Sequence, residues 1–523
     1  MKGDTLRPEA CVLIAAACVP LLLAPPAATS ILDAARFGAR PGADATVNTR
    51  AIQAALDAAG SAGGWTVAVT RPGVYDLAAQ GLNPYQHGHR YCLDLHYDGL
   101  TLRIGPGVTL RLADGQQADA TGPVDVVVWR SRKGLRITGG GTITGNTAGQ
   151  RGWTRGYGPI TNGILLAGYS EPGTGNERIR IEDVTLADHF SNAINISGHP
   201  ESRDRGIEIV RVRARDTGAG PLVMNADDVT LRDVTYENKT VSPPPGDGLE
   251  LSNVTGFLIA NATVRGMLGG SAIDLYGSRF GTVDGFVIEG GVEGITIQEN
   301  MALRTYSERV QVRNGTVRLW GAGTGVVTKG ARVRGVTLSA VKVFGGSIPG
   351  TIGFHISAHN VAERLSRDWR QEGPVTLENC EAHGLHVGLL IKTVANASVI
   401  GGDYSGNTAS PQSDGILWMG QANATSREDT RGLVIRGVKA TGNRRYGLHI
   451  HDQGFIGREP EGFLTHCSLG GNGAGGYQLT REAAHEFPLY IDDSCASAAA
   501  PPSSAPSLPV GGPSPPVAAP SPP

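Results

Sequence analysis

Two acidic residues, Glu250 and Asp274, occupy the same position in consecutive copies of a short repeated pattern. If consecutive copies form neighbouring strands, the two carboxyl groups should approach to roughly 5 Å. Two carboxylates this close raise the pKa of one of them unless a cation lies between them. Such a pair suits acid–base chemistry. Together with Asp247, at the start of the Glu250 copy, it could instead hold Ca²⁺ through oxygen ligands.

Further polar and ionisable residues fall on the same predicted strand face. Tyr276, Lys329 and His355 are expected to join Glu250 and Asp274 as catalytic residues on one open surface about 20 Å long. Residues predicted to bind flanking substrate are Gln298, Asn195, Lys392, His449 and His451. His449 and His451 could also pair on a metal, but no third ligand is evident, so we interpret them as groove or surface histidines.

The repeated pattern is a seven-residue unit that occurs twelve times at spacings of 22 to 35 residues. Its second position is Gly in ten copies and Ala in two, and its third and fifth positions are almost always apolar. Apolar residues that alternate with variable ones are typical of a β-strand, and the glycines are expected to supply bend conformations. The copies are 162–168, 192–198, 219–225, 247–253, 271–277, 293–299, 324–330, 352–358, 387–393, 414–420, 446–452 and 475–481.

Other strand patterns lie between the units, for example at 178–188 and 228–238, and earlier ones occur at 99–113 and 134–145. A chain that repeats strand and bend about every 25 residues stacks as a parallel β-helix. Asparagines at the bends are expected to adopt left-handed geometry. They are Asn238, Asn253, Asn261, Asn314, Asn379 and Asn443.

Residues 31–98 differ from the repeats and are expected to cap the solenoid and form its first strands. They contain one amphipathic helix, predicted at about Thr49–Ala59 and ended by Gly60. Its apolar stripe is Ala51, Ile52, Ala55, Leu56 and Ala59.

This region resembles the N-terminal part of the pectate lyase superfamily over about 45 residues. The matching residues are Asp33, Phe37-Gly38-Ala39, Gly42, Asp44, Thr46, Thr49, Ala51-Ile52-Gln53-Ala54-Ala55, Gly63-Gly64, Val67, Val69 and Pro72-Gly73-Val74-Tyr75. The resemblance implies a right-handed β-helix with a capping helix, in a secreted or surface-associated protein that usually acts on acidic polysaccharide. We therefore predict an all-β, single-stranded right-handed parallel β-helix of about 12–14 rungs, which occupies 99–495 with a C-terminal cap.

The composition and the two ends bound where such a protein works. The chain has 523 residues and a formal net charge of −2, so a general affinity for nucleic acid is not expected. Residues 1–30 have the layout of a signal peptide, which predicts a secreted protein, periplasmic or extracellular, with no membrane span in the mature chain. Residues 496–523 contain ten prolines and no charge, and are predicted to form a disordered tail. We expect a monomer.

Four cysteines remain beyond the predicted signal peptide: Cys92, Cys380, Cys467 and Cys495. Cys380 and Cys467 occupy similar positions about three rungs, or ~14 Å, apart, which is too far for a disulfide. We predict that these two are buried, inert thiols.

Three functions fit these features. The leading one is a polysaccharide lyase or epimerase acting on a uronate-containing polymer. In it Lys329, His355 or Tyr276 would supply the base and acid, and Ca²⁺ on Asp247, Glu250 and Asp274 would stabilise the enolate-like charge. The second is a glycoside hydrolase with Glu250 and Asp274 as its catalytic carboxylates. The third is a non-catalytic glycan-binding or surface-structural solenoid.

Overall fold

The computed structural model describes residues 30–492 and residue 495, with internal gaps. The gaps are 86, 118–121, 151–161, 168–172, 174, 240–245, 268, 331, 358–373, 393, 395, 420–431, 452–461, 481–488 and 493–494. Nearly all of the predicted signal peptide (1–30) and the whole predicted tail (496–523) lie outside the described residues.

The described elements are one α-helix, α1 (Ala45–Ser61), two 3₁₀ helices (Ala34–Phe37 and Thr147–Gly149) and thirty-eight strands. The strands are β1 (Ile31–Asp33), β2 (Thr66–Val69), β3 (Gly73–Leu77), β4 (Gly81–Leu82), β5 (Arg90–Asp94), β6 (Thr101–Ile104), β7 (Val108–Leu112), β8 (Val124–Trp129), β9 (Arg136–Thr138), β10 (Thr142–Thr144), β11 (Ile164–Ala167), β12 (Glu177–Glu182), β13 (Thr185–Ala187), β14 (Asn192–Ser197), β15 (Asp204–Val210), β16 (Arg213–Arg215), β17 (Ala219–Met224), β18 (Ala226–Arg232), β19 (Thr235–Glu237), β20 (Leu249–Ser252), β21 (Thr255–Met267), β22 (Ser271–Tyr276), β23 (Arg279–Gly290), β24 (Glu293–Gln298), β25 (Glu308–Arg318), β26 (Thr324–Lys329), β27 (Val336–Phe344), β28 (Ile352–Ser357), β29 (Val375–Glu378), β30 (Glu381–His383), β31 (Val387–Lys392), β32 (Ala397–Ile400), β33 (Asp414–Met419), β34 (Leu433–Arg436), β35 (Tyr446–His451), β36 (Gly462–Thr465), β37 (Gly475–Thr480) and β38 (Leu489–Ile491).

These strands form a fifteen-strand sheet and a twenty-three-strand sheet. The fifteen-strand sheet consists of β4, β5, β8, β11, β14, β17, β20, β22, β24, β26, β28, β31, β33, β35 and β37. Its strands pair in parallel from β5 onward, and only the short β4 is antiparallel to its neighbour. Each turn of the chain adds one strand to this sheet, so fourteen parallel strands mark fourteen rungs. The prediction of an all-β parallel β-helix is confirmed.

The twelve predicted units all lie in the fifteen-strand sheet, stacked on successive rungs. Their third and fifth positions point into the core, where Ile273 and Leu275 are fully buried. Their fourth positions pair directly from rung to rung, so they form one column on the outer face. The column is Leu165, Asn195, Leu222, Glu250, Asp274, Thr296, Val327, His355, Leu390, Leu417, His449 and Gln478.

The second positions of these units form a column of glycines, which we call the glycine column. Glycine is required there for a reason other than the predicted bend conformation. Nine glycines of this column, from Gly163 to Gly447, have no positive φ. A Cβ at any of them would come within 2.7 Å of the carbonyl oxygen in the same column of the next rung, closer than real Cβ atoms approach. The neighbouring backbone, rather than the bend conformation, therefore excludes a side chain. These nine are Gly163, Gly220, Gly248, Gly294, Gly325, Gly353, Gly388, Gly415 and Gly447.

The asparagine prediction is correct for four residues and wrong for two. Asn253, Asn261, Asn314 and Asn379 have left-handed φ values of 51–56°. Asn443 instead belongs to a buried ladder: the backbone N–H of Asn407 donates to its Oδ1 at 3.0 Å, and its own N–H donates to Asn472 Oδ1 at 2.8 Å. Asn238 donates from Nδ2 to the Thr217 carbonyl at 3.3 Å. Both side chains satisfy backbone groups of other turns.

The N-terminal cap contains the predicted helix, but α1 begins four residues earlier. Asp44 sets this start, because its side chain accepts hydrogen bonds from the backbone N–H groups of Thr46 and Val47. The predicted apolar stripe is buried and packs against β2, β3 and β5 at the first rung. Within the described ranges, no helix is long and apolar enough to cross a membrane.

Gly415→Ala should destabilise the protein, because the added Cβ would lie 2.7 Å from the Gly447 carbonyl oxygen and 2.8 Å from that of Tyr404. We expect a loss of about 2 kcal/mol, as for other overpacked sites, measured by urea or thermal unfolding. Gly321→Ala is the matched control, because its Cβ would meet no atom within 4 Å. Equal stability of the two variants would contradict the close-approach explanation.

Candidate functional site

Charged side chains on the twenty-three-strand sheet alternate in sign from rung to rung. Glu237 accepts a hydrogen bond from Arg213 at 2.5 Å and lies 3.4 Å from Arg265 Nη1. Arg265 also binds Glu289 at 2.9 Å, and Arg318 lies 3.6 Å from that carboxylate. The hydrogen bond from Arg213 holds the pKa of Glu237 below its ordinary value. In this column each outward carboxylate has an arginine one rung away.

Glu250 and Asp274 break this alternation, because they are direct neighbours on β20 and β22 with no cation between them. Burial, followed by the charge of Asp247, raises the pKa of Glu250 to about 7. Burial, followed by the charges of Asp247 and Glu250, raises the pKa of Asp274 well above its ordinary value. Glu250 therefore ionises near neutral pH, and its charge then holds the proton on Asp274 more firmly.

Gln298 and Tyr276 flank the buried Asp274. The Gln298 side-chain amide donates to both carboxyl oxygens of Asp274, at 3.0 and 2.8 Å. Gln298 therefore orients this carboxyl group, and its predicted contact with substrate stays a prediction. Burial, and then the charge of Asp274, raises the pKa of Tyr276, so its phenol keeps its proton at neutral pH.

Lys329 is held in a hydrogen-bonded network beside the carboxyl pair. Its Nζ donates to Glu293 Oε1 at 2.5 Å, and the Thr296 hydroxyl donates to Glu293 Oε2 at 2.7 Å. The Ser271 hydroxyl lies 2.7 Å from Thr296 Oγ1, and its backbone N–H donates to Asp247 Oδ1 at 2.6 Å. Although burial acts to raise it, the hydrogen bond and charge of Lys329 hold the pKa of Glu293 below its ordinary value.

Glu293 is the site residue that the sequence reasoning missed. It stands at the first position of its unit, as Asp247 does, and that column was read only for Asp247. The Lys329–Glu293 pair means that most of the lysine charge is neutralised locally. The charge of Lys329 therefore lowers the pKa of Asp274 less than burial and the charges of Asp247 and Glu250 raise it.

The five predicted catalytic residues lie on one face over the predicted span of four rungs, but this face is less open than expected. Thr296 and Val327 lie between Asp274 and His355 in the column, which places the histidine three rungs, or about 14 Å, away. The surface is only partly open at the pair, because Asp274 is 6% exposed and Thr296 is fully buried, whereas Glu250 is partly exposed. His355 therefore lies on the same face but outside the cluster.

The other predicted substrate-binding residues lie farther along the same face. Asn195 is two rungs before Glu250 and accepts a hydrogen bond from Ser197 Oγ at 2.6 Å. Lys392 lies on β31, two rungs beyond the strand of Lys329. Both lie at least two rungs from the carboxyl pair, and their contact with substrate stays a prediction.

His449 is not a groove or surface histidine, because it is buried in a separate ion cluster six rungs from Asp274. Its Nδ1 lies 3.3 Å from Asp414 Oδ2 and 3.1 Å from Arg445 Nη2. Arg445 also donates to both carboxyl oxygens of Asp414. Nothing is described for the side chain of His451.

The three predicted calcium ligands do not form a preassembled metal site. Among the described residues, no three His, Cys, Asp or Glu side chains group closely enough to hold a metal ion. The oxygens of Asp274 accept from Gln298, and Asp247 Oδ1 accepts from the Ser271 backbone. Ca²⁺ binding by Asp247, Glu250 and Asp274 stays a prediction.

Comparison with solved structures defines the class of fold. The mannuronan C-5 epimerase AlgE4 A-module of Azotobacter vinelandii matches with a TM-score of 0.50 and 18% identity, over 88% of this chain and 100% of the module. A tailspike protein mutant of E. coli bacteriophage HK620, in complex with a pentasaccharide, matches with a TM-score of 0.55 and 10% identity, over 83% of this chain and 78% of the tailspike. No family profile and no curated protein matches the sequence.

The protein is thus a right-handed parallel β-helix. The right-handed β-helix fold that the N-terminal resemblance implies is confirmed.

Glu250→Gln should stabilise the protein at high pH. Folding raises the pKa of Glu250 from its ordinary 4.5 to about 7, so its contribution to stability is complete below pH 4.5 and is lost as the pH rises through 7. We expect the variant to gain roughly 2–3 kcal/mol over wild type at pH 8.5 and nothing at pH 4, measured by chemical unfolding. Glu237→Gln is the control and should gain no stability at pH 8.5. A Glu250→Gln gain that does not depend on pH would contradict the assignment.

Proposed function

We propose that the protein is an enzyme that acts on a polysaccharide bound along the outer face of the fifteen-strand sheet, with Glu250 and Asp274 as its acid–base pair. The observation that carries the proposal is the stacking of these two carboxyl groups with no basic side chain between them among the described residues. On the twenty-three-strand sheet, by contrast, Arg213 binds Glu237 and Arg265 binds Glu289. An arrangement that opposes its own ionisation is typical of a catalytic site.

The geometry of the sheet suits a linear glycan. Sugars in an extended polymer advance by about 5 Å, close to the rung spacing of ~4.8 Å, so successive sugars can meet successive rungs. Asn195 and Lys392 lie on rungs to either side of the pair and would contact flanking sugars. One neighbour of the same fold is an epimerase of a polysaccharide, and another was solved with a pentasaccharide.

Glycoside hydrolysis is the reaction that the charges support best. Asp247 and Glu293 add two more carboxyl groups beside the Glu250–Asp274 pair, and Lys329, already bound to Glu293, is the one basic residue among these site residues. A uronate carboxylate would add further negative charge, whereas an uncharged sugar would not. Asp274 would hold the proton for the leaving oxygen. Glu250, ionised above about pH 7, would act as the nucleophile, since a separation near 5 Å favours retention of anomeric configuration.

Lyase or epimerase chemistry on an acidic polymer is the second candidate, and Tyr276 favours it. Its protonated phenol lies on the same face as Asp274, two residues along β22. Glu250 would remove the proton alpha to the uronate carboxylate, and Tyr276 would return a proton to the ring or to the leaving group. This reaction needs a cation to stabilise the developing charge, and either the predicted Ca²⁺ or Lys329, once released from Glu293, would supply it. Export from the cell and monomeric action are part of both proposals.

A polysaccharide screen with three readouts separates these reactions. Hydrolysis creates reducing ends without ultraviolet absorbance, elimination creates both, and epimerisation changes the sugar configuration seen by NMR without shortening the polymer. Binding without any chemical change would favour the non-catalytic solenoid instead.

Asp274→Asn and Glu250→Gln should each lower turnover on the true substrate by about 10³-fold or more, because each removes one half of the acid–base pair. Folding should persist, since each substitution relieves repulsion between like charges. Glu237→Gln, on the other sheet, is the matched control and should keep wild-type turnover. Full activity of Asp274→Asn would exclude the pair as the reacting groups.

Azide can test the role of Glu250 directly. If its carboxylate forms a glycosyl–enzyme bond, azide should restore turnover to Glu250→Ala and yield a glycosyl azide. In elimination or epimerisation no such product can form. Failure of azide to rescue an otherwise folded variant would remove the nucleophile role and leave the second candidate.

A further inference from the structure

Two of the four described cysteines lie against each other at the C-terminal end of the solenoid. Cys467 follows β36 and Cys495 follows β38, and these two strands pair in parallel. Both side chains are buried. The Cys467 backbone N–H donates to Cys495 Sγ at 3.0 Å, and the two thiols also hydrogen bond to each other.

The turn after β38 holds Cys495 in this position. The Cys495 backbone N–H donates to Asp492 Oδ1 at 3.1 Å, and Asp492 Oδ2 accepts from the His466 backbone at 2.8 Å. The Asp492 backbone N–H donates to the Leu464 carbonyl at 3.0 Å. Asp492 therefore ties the residue before Cys467 to the turn that carries Cys495.

The remaining thiols have no such neighbour. Cys380 lies three rungs before Cys467, and its Sγ donates to the Leu338 carbonyl at 3.5 Å. Cys92 lies on β5, near the other end of the solenoid. The prediction that Cys380 and Cys467 are buried and not paired with each other agrees with these positions. It overlooked Cys495, one rung from Cys467.

We propose that Cys467 and Cys495 form a disulfide that fastens the C-terminal turn onto the last rungs. Two thiols already in contact need only a short further approach to reach the S–S bond length of about 2.05 Å. Two S–H bonds break and one S–S bond forms. The two electrons and two protons pass to a disulfide oxidant such as oxidised glutathione, which is reduced to two thiols.

The bond forms during folding rather than after it. Burial raises the pKa of both thiols, and the thiolate is the reacting species, so the closed protein reacts slowly. An open end of a solenoid exposes core and unpaired strand edge, so a link there limits fraying. The two cysteines are 28 residues apart, a loop long enough for its closure to restrict the unfolded chain.

Peptide mapping of the full chain tests the bond. The reduced protein is refolded in a mixture of reduced and oxidised glutathione, alkylated, and digested with trypsin without reduction. Arg481 is the single trypsin site between the two cysteines, so they fall on peptides 459–481 and 482–523. We expect these peptides to appear joined, and to separate after dithiothreitol. Alkylation of both Cys467 and Cys495 in the refolded protein would overturn the proposal.

Thermal unfolding tests the fastening. Wild type refolded with oxidised glutathione should melt several degrees above wild type refolded with reduced glutathione alone. Cys495→Ser should melt at the same temperature after either treatment, and Cys92→Ser should keep the wild-type difference. If Cys495→Ser does not fold, Cys467→Ser serves the same purpose, and the wild-type comparison stands without either variant. Joined peptides without a difference in melting temperature would show that the disulfide forms but does not stabilise the C-terminal end of the solenoid.

Discussion

The close approach of neighbouring rungs at the glycine column is the constraint on which the remaining structure depends. At Gly248, Gly325 and Gly388 a Cβ would lie 2.5–2.6 Å from the carbonyl oxygen of the next rung. Backbones this close admit one register, since a shifted strand would bring the side chain of another residue into the same space. Every other column of the fifteen-strand sheet inherits that register, including the one that places Glu250 over Asp274.

The Glu250–Asp274 pair places two carboxyl groups of like charge on neighbouring rungs, where they oppose each other's ionisation. Glu182, on the other sheet, has three arginines within 3.4 Å, namely Arg136, Arg180 and Arg211. Among the described residues, the direct hydrogen-bond partner of the buried Asp274 is the neutral Gln298 amide. The rigid stack prevents the two carboxyl groups from moving apart, so the conflict appears as raised pKa values. Rigid scaffolds hold reactive groups in this manner.

The supporting residues around the pair come from several positions of the repeated units: the first (Asp247, Ser271, Glu293), the fourth (Thr296) and the sixth (Lys329). Glu293 accepts from both Lys329 and Thr296, while Ser271 connects Thr296 to Asp247 across neighbouring rungs. These groups bind one another, and the carboxyl groups of Glu250 and Asp274 lie outside their network. Acidic side chains also accept backbone hydrogen bonds at the two ends of the solenoid. Asp44 does so at the start of the capping helix, and Asp492 accepts from the backbone N–H of His466 at the other end.

The sequence by itself determined the fold, the twelve units, their register and the neighbours within each column, because a repeat with one residue per rung at each position has one way to stack. It also located the stripe of α1 and the adjacency of Glu250 and Asp274. Only the tertiary structure decided that Gln298 binds Asp274, that Glu293 binds Lys329 and that Cys495 contacts Cys467. These depend on side-chain rotamers, on burial and on turns whose lengths do not repeat, and a periodic pattern carries information about none of them.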